Sequence, residues 1–384
     1  MTYCIGWRTK LGVLIVADTA LSAAVPEAHE FPGISRTSFG ELQGKTSNGA
    51  LSYVAEEGLK IGVGKNFVSG FAGDIRTARN FVDTFSDAYG AGFPLREAAT
   101  ATLNSSGSYG SDTSILIGAY EQDAPILLQI ELSSGVVLEV SGLVQIGSAP
   151  SEQCRWTTQM VELTEGGLHD VPVSDANASH IFTQVIALLQ SYGVHDYLLP
   201  HGVGGAFVGA WVTPSGARWQ GDNFFVVHHS QIDAVELVMC AVMVRENTLC
   251  LIGNQAEVNK VLTTRKRKDR APSYADDAIK QYDRAMFDYF ISINSSKHII
   301  TIVEMRQSRH HVLLSLRPAE TGTIGILWSE KLREIVNNFA GVDEPDGQEM
   351  TLGFIPFMPV PLEYQLKRDA IAEEAEAERL RNQC

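Results

Sequence analysis

The head of the chain constrains the fold most. Tyr3-Cys-Ile-Gly-Trp-Arg8 and Val13-Leu-Ile-Val-Ala17 are two short β-type runs joined by Thr9-Lys-Leu-Gly12, a pattern that predicts a hairpin. The second run is apolar up to Asp18 and reads as a buried strand. Arg8 and Lys10 before it, and Leu21-Ser-Ala-Ala24 after it, give a superficial likeness to an export signal, but the stretch is short and ends in an acid. A cytoplasmic protein is the expectation.

Further runs continue in the same style. Gly58 to Gly73 reads as two strands about a Gly-Lys-Asn turn, and Asp74 caps a helix from Ile75 to about Tyr89. A second helix is expected from Leu95 to Leu103, then strands at Ser114 to Tyr120, Ile126 to Leu132, Val136 to Val140 and Val144 to Ser148. Apolar residues at 181, 185, 188 and 189 predict a helix from His180 to Tyr192, and the β-pattern resumes at Gly205 to Val212. Past Asp222 fresh β-structure is expected at Ala234 to Val244, Thr248 to Ile252, His298 to Met305 and His311 to Leu316, with helices at Ser273 to Phe290, Glu330 to Phe339 and Glu363 to Arg381.

Composition narrows the function. The chain has 384 residues, enough for two domains, and 45 acidic against 30 basic residues give a net charge of −15. That balance argues against phosphate-backbone binding, so the basic cluster Arg265-Lys-Arg-Lys268 reads as a solvated loop and nucleic acid is not an expected partner. No run of ~20 apolar residues suggests a membrane span. The five cysteines show no CxxC pairing, and neighbouring histidines such as His228-His229 and His310-His311 point to opposite faces of a strand, so no metal or other cofactor is expected.

Chemistry gathers at the start. Thr2 directly follows Met1; once Met1 is trimmed, one residue carries both a hydroxyl nucleophile and a free α-amine that titrates near pH ~7.7 to 8.0 and can act as base. Each candidate has a plainer reading when taken alone: a terminal Thr, an aspartate beginning a turn, a surface lysine. The ordered set is more informative. Thr2-Tyr-Cys-Ile-Gly, Gly12 to Asp18, Lys60-Ile, Gly70-Phe-Ala-Gly73-Asp, Ile115 to Tyr120 and Ile146-Gly-Ser148 resemble a proteasome β-type subunit over roughly residues 2 to 220, and the opening Met-Thr-Tyr-Cys is similar to the bacterial proteasome homologues called Anbu.

That resemblance to the N-terminal nucleophile (Ntn) hydrolases implies an α+β fold, a four-layer αββα sandwich over residues 1–222, with an appended C-terminal α+β domain over residues 223–384. It implies a threonine peptidase or amide hydrolase in which Thr2 is the nucleophile, Asp18 and Lys60 are the supporting pair, Gly73 donates its N–H to the oxyanion, and Ser148 hydrogen-bonds near the Thr2 amine. Lys45 and Lys65 are the alternatives to Lys60. Leu21 and Phe71 would line the substrate side-chain pocket, and Ser22 would hold substrate backbone. A peptide or unfolded-protein substrate and a ring-like homo-oligomer follow from the same likeness. A small-molecule amidase and a catalytically silent assembly or regulatory protein are the rival readings. The chain departs from the family at Pro200-His-Gly-Val203-Gly-Gly205, where an aspartate and a Ser-Gly-Gly are usual, and Asp196 and His201 are the nearest substitutes.

Overall fold

The computed structural model describes residues 2–24, 37–39, 52–56, 58–105, 112–196, 198, 201–230, 235–245, 248–253, 287–294, 299–304 and 311–316. The expected hairpin is present: β1 (Tyr3–Thr9) pairs antiparallel with β2 (Gly12–Asp18), with Cys4 opposite Ala17 and Thr9 opposite Gly12. Both strands are buried on both faces, which explains why β2 shows an unbroken apolar run instead of an alternation. They form the centre of a five-stranded sheet in the order β10-β1-β2-β11-β12, where β10 is Leu143–Gly147, β11 is Phe207–Thr213 and β12 is Gly216–Trp219.

A second five-stranded sheet packs on the first. It contains β5 (Ile61–Val63), β6 (Phe67–Ala72), β7 (Ser114–Glu121), β8 (Ala124–Glu131) and β9 (Val136–Val140), in that order. Its outer face carries α1 (Ile75–Gly90) and α2 (Leu95–Ser105) over a separate apolar cluster that includes Phe67, Phe71, Phe81 and Phe85. Asp74 caps α1 as expected, accepting a hydrogen bond from the Thr77 amide at 2.8 Å. The short ribbon β3 (Leu21–Ala24) with β4 (Ser52–Ala55) stands apart from both sheets.

On the other side of the first sheet lie α3 (Ser151–Gly167) and α4 (Asp175–Asp196). Behind α4 comes a six-stranded mixed sheet, β15-β14-β13-β16-β17-β18, built from Asn223–Ser230 (β13), Val235–Arg245 (β14), Thr248–Gly253 (β15), Tyr289–Asn294 (β16), Ile299–Glu304 (β17) and His311–Leu316 (β18). Phe182, Val185 and Ile186 of α4 share one continuous core with Trp7 and Trp211 of the first sheet and with Phe225, Val227 and Ile291 of the third.

The expected αββα sandwich with an appended α+β domain is therefore corrected. Among the described residues the molecule is mostly β, with eighteen strands to four helices, and three sheets are stacked through one interior. The physical reason lies in α4, whose residues 182–190 are all buried: a helix buried on every side needs cover on both, and the third sheet supplies the second. Helix α3 and strands β3, β4, β12, β13 and β16 were not anticipated, and β16 takes Tyr289 and Phe290 from the expected helix ending near Phe290. The helices expected at 330–339 and 363–381, the cluster at 265–268 and Lys45 lie outside the described residues. No helix among the described residues is long and apolar enough to cross a membrane.

Candidate active site

The site grows from the antiparallel register of β1 and β2. Cys4 lies opposite Ala17, so Asp18, next along β2, comes level with the entry to β1. There its Oδ1 accepts the Tyr3 amide N–H at 2.9 Å and the Lys60 ammonium at 2.7 Å, while Oδ2 accepts the Gly204 N–H at 3.2 Å. Lys60 arrives from the segment just before β5, and its carbonyl accepts the Phe71 N–H at 3.1 Å. The Lys60 and Asp18 side chains are 1% and 0% exposed, so this is an ion pair with no bulk water around it.

Thr2 is 7% exposed. The peptide joining it to Tyr3 is held at both ends: its carbonyl oxygen accepts the Ser148 N–H at 2.9 Å, and its nitrogen donates to Asp18. Gly147 has φ +104°, and a Cβ there would overlap the Thr2 carbonyl oxygen and fall 3.4 Å from the Ala72 Cβ. Thr2, Gly147 and Ala72 thus meet at one point, and Gly73 follows directly. Gly73 has φ +119°, and a Cβ would lie 2.6 Å from the Asp112 carbonyl oxygen, so the turn from β6 into α1 requires glycine.

Electrostatics follow from burial. Desolvation raises the Asp18 carboxyl above the usual carboxylate range, opposed by the Lys60 charge and by hydrogen bonds from Lys60, Tyr3 and Gly204. Desolvation lowers the Lys60 ammonium below its ordinary value, opposed by Asp18. Each charge offsets part of the other's burial cost, because an isolated buried charge costs several kcal/mol. Cys4, also buried here, has its thiol pushed well up by desolvation and by the Asp18 charge, so it stays protonated and does not compete as a nucleophile.

The expected residues are distributed as follows. Thr2, Asp18, Lys60 and Ser148 come together. Ser148 does so through its backbone N–H, since its exposed hydroxyl makes no hydrogen bond among the described residues. Lys65 is exposed in the β5–β6 turn, away from Asp18. Leu21 and Ser22 begin β3, immediately after the Asp18-Thr19-Ala20 segment. Phe71 is buried and lines a cavity of about 230 Å³ between the β5 edge and α1.

Several participants were not anticipated. The loop before β11 brings the Gly204 N–H to Asp18, and its carbonyl accepts from Ala20 N at 3.1 Å. Thr19 exchanges hydrogen bonds with Ala206, and Gln190 of α4 binds the Gly205 carbonyl and the Phe207 N–H at 2.9 and 2.8 Å. Glu56 is a second buried acid beside Gly205, accepting the Ser38 N–H and hydroxyl, each at 2.8 Å. His201 is exposed, and from the same loop it is the Gly204 backbone N–H that reaches Asp18. Among the described residues no group of three or more His, Cys, Asp or Glu could hold a metal ion. No protein-family model matches this chain, and no curated protein matches it either.

Proposed function

We propose that the chain is a threonine-type Ntn hydrolase, related to proteasome β-type subunits and their Anbu-like bacterial homologues, that cleaves peptide or amide bonds through an acyl-ester on Thr2. The observation that carries this reading is the Asp18 Oδ1 atom, shared between the Lys60 ammonium and the Tyr3 amide that follows Thr2. A buried cation next to an N-terminal hydroxyl lowers the energy of its alkoxide, and a carboxylate with three donors keeps that cation in place.

Removal of Met1 frees the Thr2 amine. The amine takes the hydroxyl proton, directly or through water, and Oγ attacks the substrate carbonyl. The Gly73 N–H is the oxyanion donor, a kind of contact worth about 3 kcal/mol in hydrolases. The leaving amine departs with a proton, and water then hydrolyses the ester. The cavity beside Phe71 takes a substrate side chain, and Ser22 holds substrate backbone. A cytoplasmic homo-oligomer, ring-like and acting on unfolded peptides, completes the reading.

Intact-mass measurement and labelling with a peptide boronate or β-lactone test it. The expected result is loss of Met1, one equivalent of label on the wild type, and none on Thr2→Ala. Protein with a free Thr2 amine that takes up no label and turns over neither peptides nor simple amides would point to an assembly protein without chemistry.

A further inference from the structure

The cavity between the β5 edge and α1 has an apolar wall and a polar point within it. Phe67, Ser69 and Phe71 alternate along β6 onto the face that α1 covers, and all three line the cavity. Ser69 is 3% exposed, yet its hydroxyl has no hydrogen-bond partner among the described residues. Gly62 stands opposite Ser69 in the β5–β6 pairing, and a Cβ at Gly62 would come within 3.2 Å of the Ser69 Oγ. The missing side chain at Gly62 therefore leaves the space over that hydroxyl open. The hydroxyl is thus reachable through the cavity and free to bond a polar group that enters it.

The remaining polar lining is of another kind. Arg79 and Asp83 are exposed at the solvent side, opposite in charge, and neither forms an ion pair among the described residues. Together they give the mouth no net sign, so it does not favour acidic over basic side chains. The interior favours a flat apolar body. A single hydroxyl one strand-step of ~6.6 Å from Phe71 can meet a polar atom at the far end of that body.

We propose that this cavity selects a phenolic side chain, tyrosine in a peptide, with Ser69 as the specificity-determining residue that hydrogen-bonds the phenol and Gly62 as the opening that admits it. The proposal rests on the hydrolase reading for the reaction that follows, and on Ser69, Gly62 and Phe71 for the binding itself.

The test separates the two. N-acetyl-tyrosine amide and N-acetyl-phenylalanine amide are titrated into the full-length Thr2→Ala protein, with affinity read by NMR. The expected result is about fivefold tighter binding of the tyrosine ligand, the size of one neutral hydrogen bond. Adding Ser69→Ala should bring the two ligands to the same affinity, and adding Gly62→Val should abolish binding of both. Equal affinities at the outset, a preference that survives Ser69→Ala, or no binding of either ligand overturns the proposal. Turnover of matched peptides by the wild type then shows which idea has failed. Thr2-dependent cleavage without a tyrosine preference removes this inference alone, whereas the predicted binding pattern without Thr2-dependent cleavage removes the hydrolase reading alone.

Discussion

Asp18 receives three donors with two oxygens in a place with no water, so losing any one of them leaves charge uncompensated. Removing one member of such a pair costs about 3–5 kcal/mol when the survivor stays charged, and the pH dependence identifies the survivor. In Lys60→Met the charge that opposed desolvation is gone, so the folded-state pKa of Asp18 rises further above its ordinary 3.8. The folded protein then holds a proton that the unfolded chain has released, and stability falls as pH rises from 3.8 through the raised value. Asp18→Asn has the opposite sign. Lys60 drops further below 10.5, the folded protein releases a proton the unfolded chain keeps, and stability recovers as pH rises through the lowered value. Urea melts of both variants over a pH series should show opposite slopes, and parallel slopes would rule out a mutually supporting pair. Gly147→Ala is expected to cost about 1–3 kcal/mol in backbone strain and to reduce labelling of Thr2, because the added methyl pushes on its carbonyl. At this scale the sequence was informative where side chains carry the interaction. Asp18 and Lys60 have residue types that announce an ion pair, whereas the Tyr3 and Gly204 amides do not announce themselves, because any residue has one.

Helices α3 and α4 show why some elements were readable and others hidden. The buried side of α3 is Gln153, Thr157, Met160, Val161 and Thr164, too polar to give an apolar period, and Tyr3 explains part of it by donating its hydroxyl to Thr157 at 2.8 Å. Helix α4 was recognised from Ile181, Val185, Leu188 and Leu189, but its true length begins at Asp175 and its remaining sides are also covered. The strands of the first two sheets other than β12, by contrast, announced themselves through β-type runs and glycine-marked turns. Gln190 is the α4 residue that reaches the site, since it grips both sides of the Gly205–Phe207 backbone. Gln190→Leu leaves the buried Phe207 N–H without its acceptor, costing about 1–3 kcal/mol, and removes a donor from the Gly205 carbonyl. It should therefore lower the unfolding midpoint and, by loosening the loop that carries Gly204, slow labelling of Thr2. A variant that melts early but labels at the wild-type rate would separate the loop from the chemistry.

Among the described residues the three sheets share one interior from Trp7 through Phe182 to Ile291, so they should unfold in a single event. Tryptophan fluorescence and far-ultraviolet circular dichroism are expected to report the same midpoint, and Phe182→Ala should lower both together, by about 3–5 kcal/mol of stability. Two separated transitions would mean that the third sheet melts by itself. The change of composition past Asp222 made that sheet look like an addition, because a sequence shows where a pattern changes and not what stands behind a helix. The reach of the Asp18 contacts has a consequence of its own. The carboxylate joins groups contributed at positions 3, 60 and 204, so its surroundings are complete only after more than half of the polypeptide has been synthesised and has closed these distant loops. A growing chain on the ribosome therefore carries an unfinished centre, and the same bonds that shape it delay its completion until synthesis is well advanced.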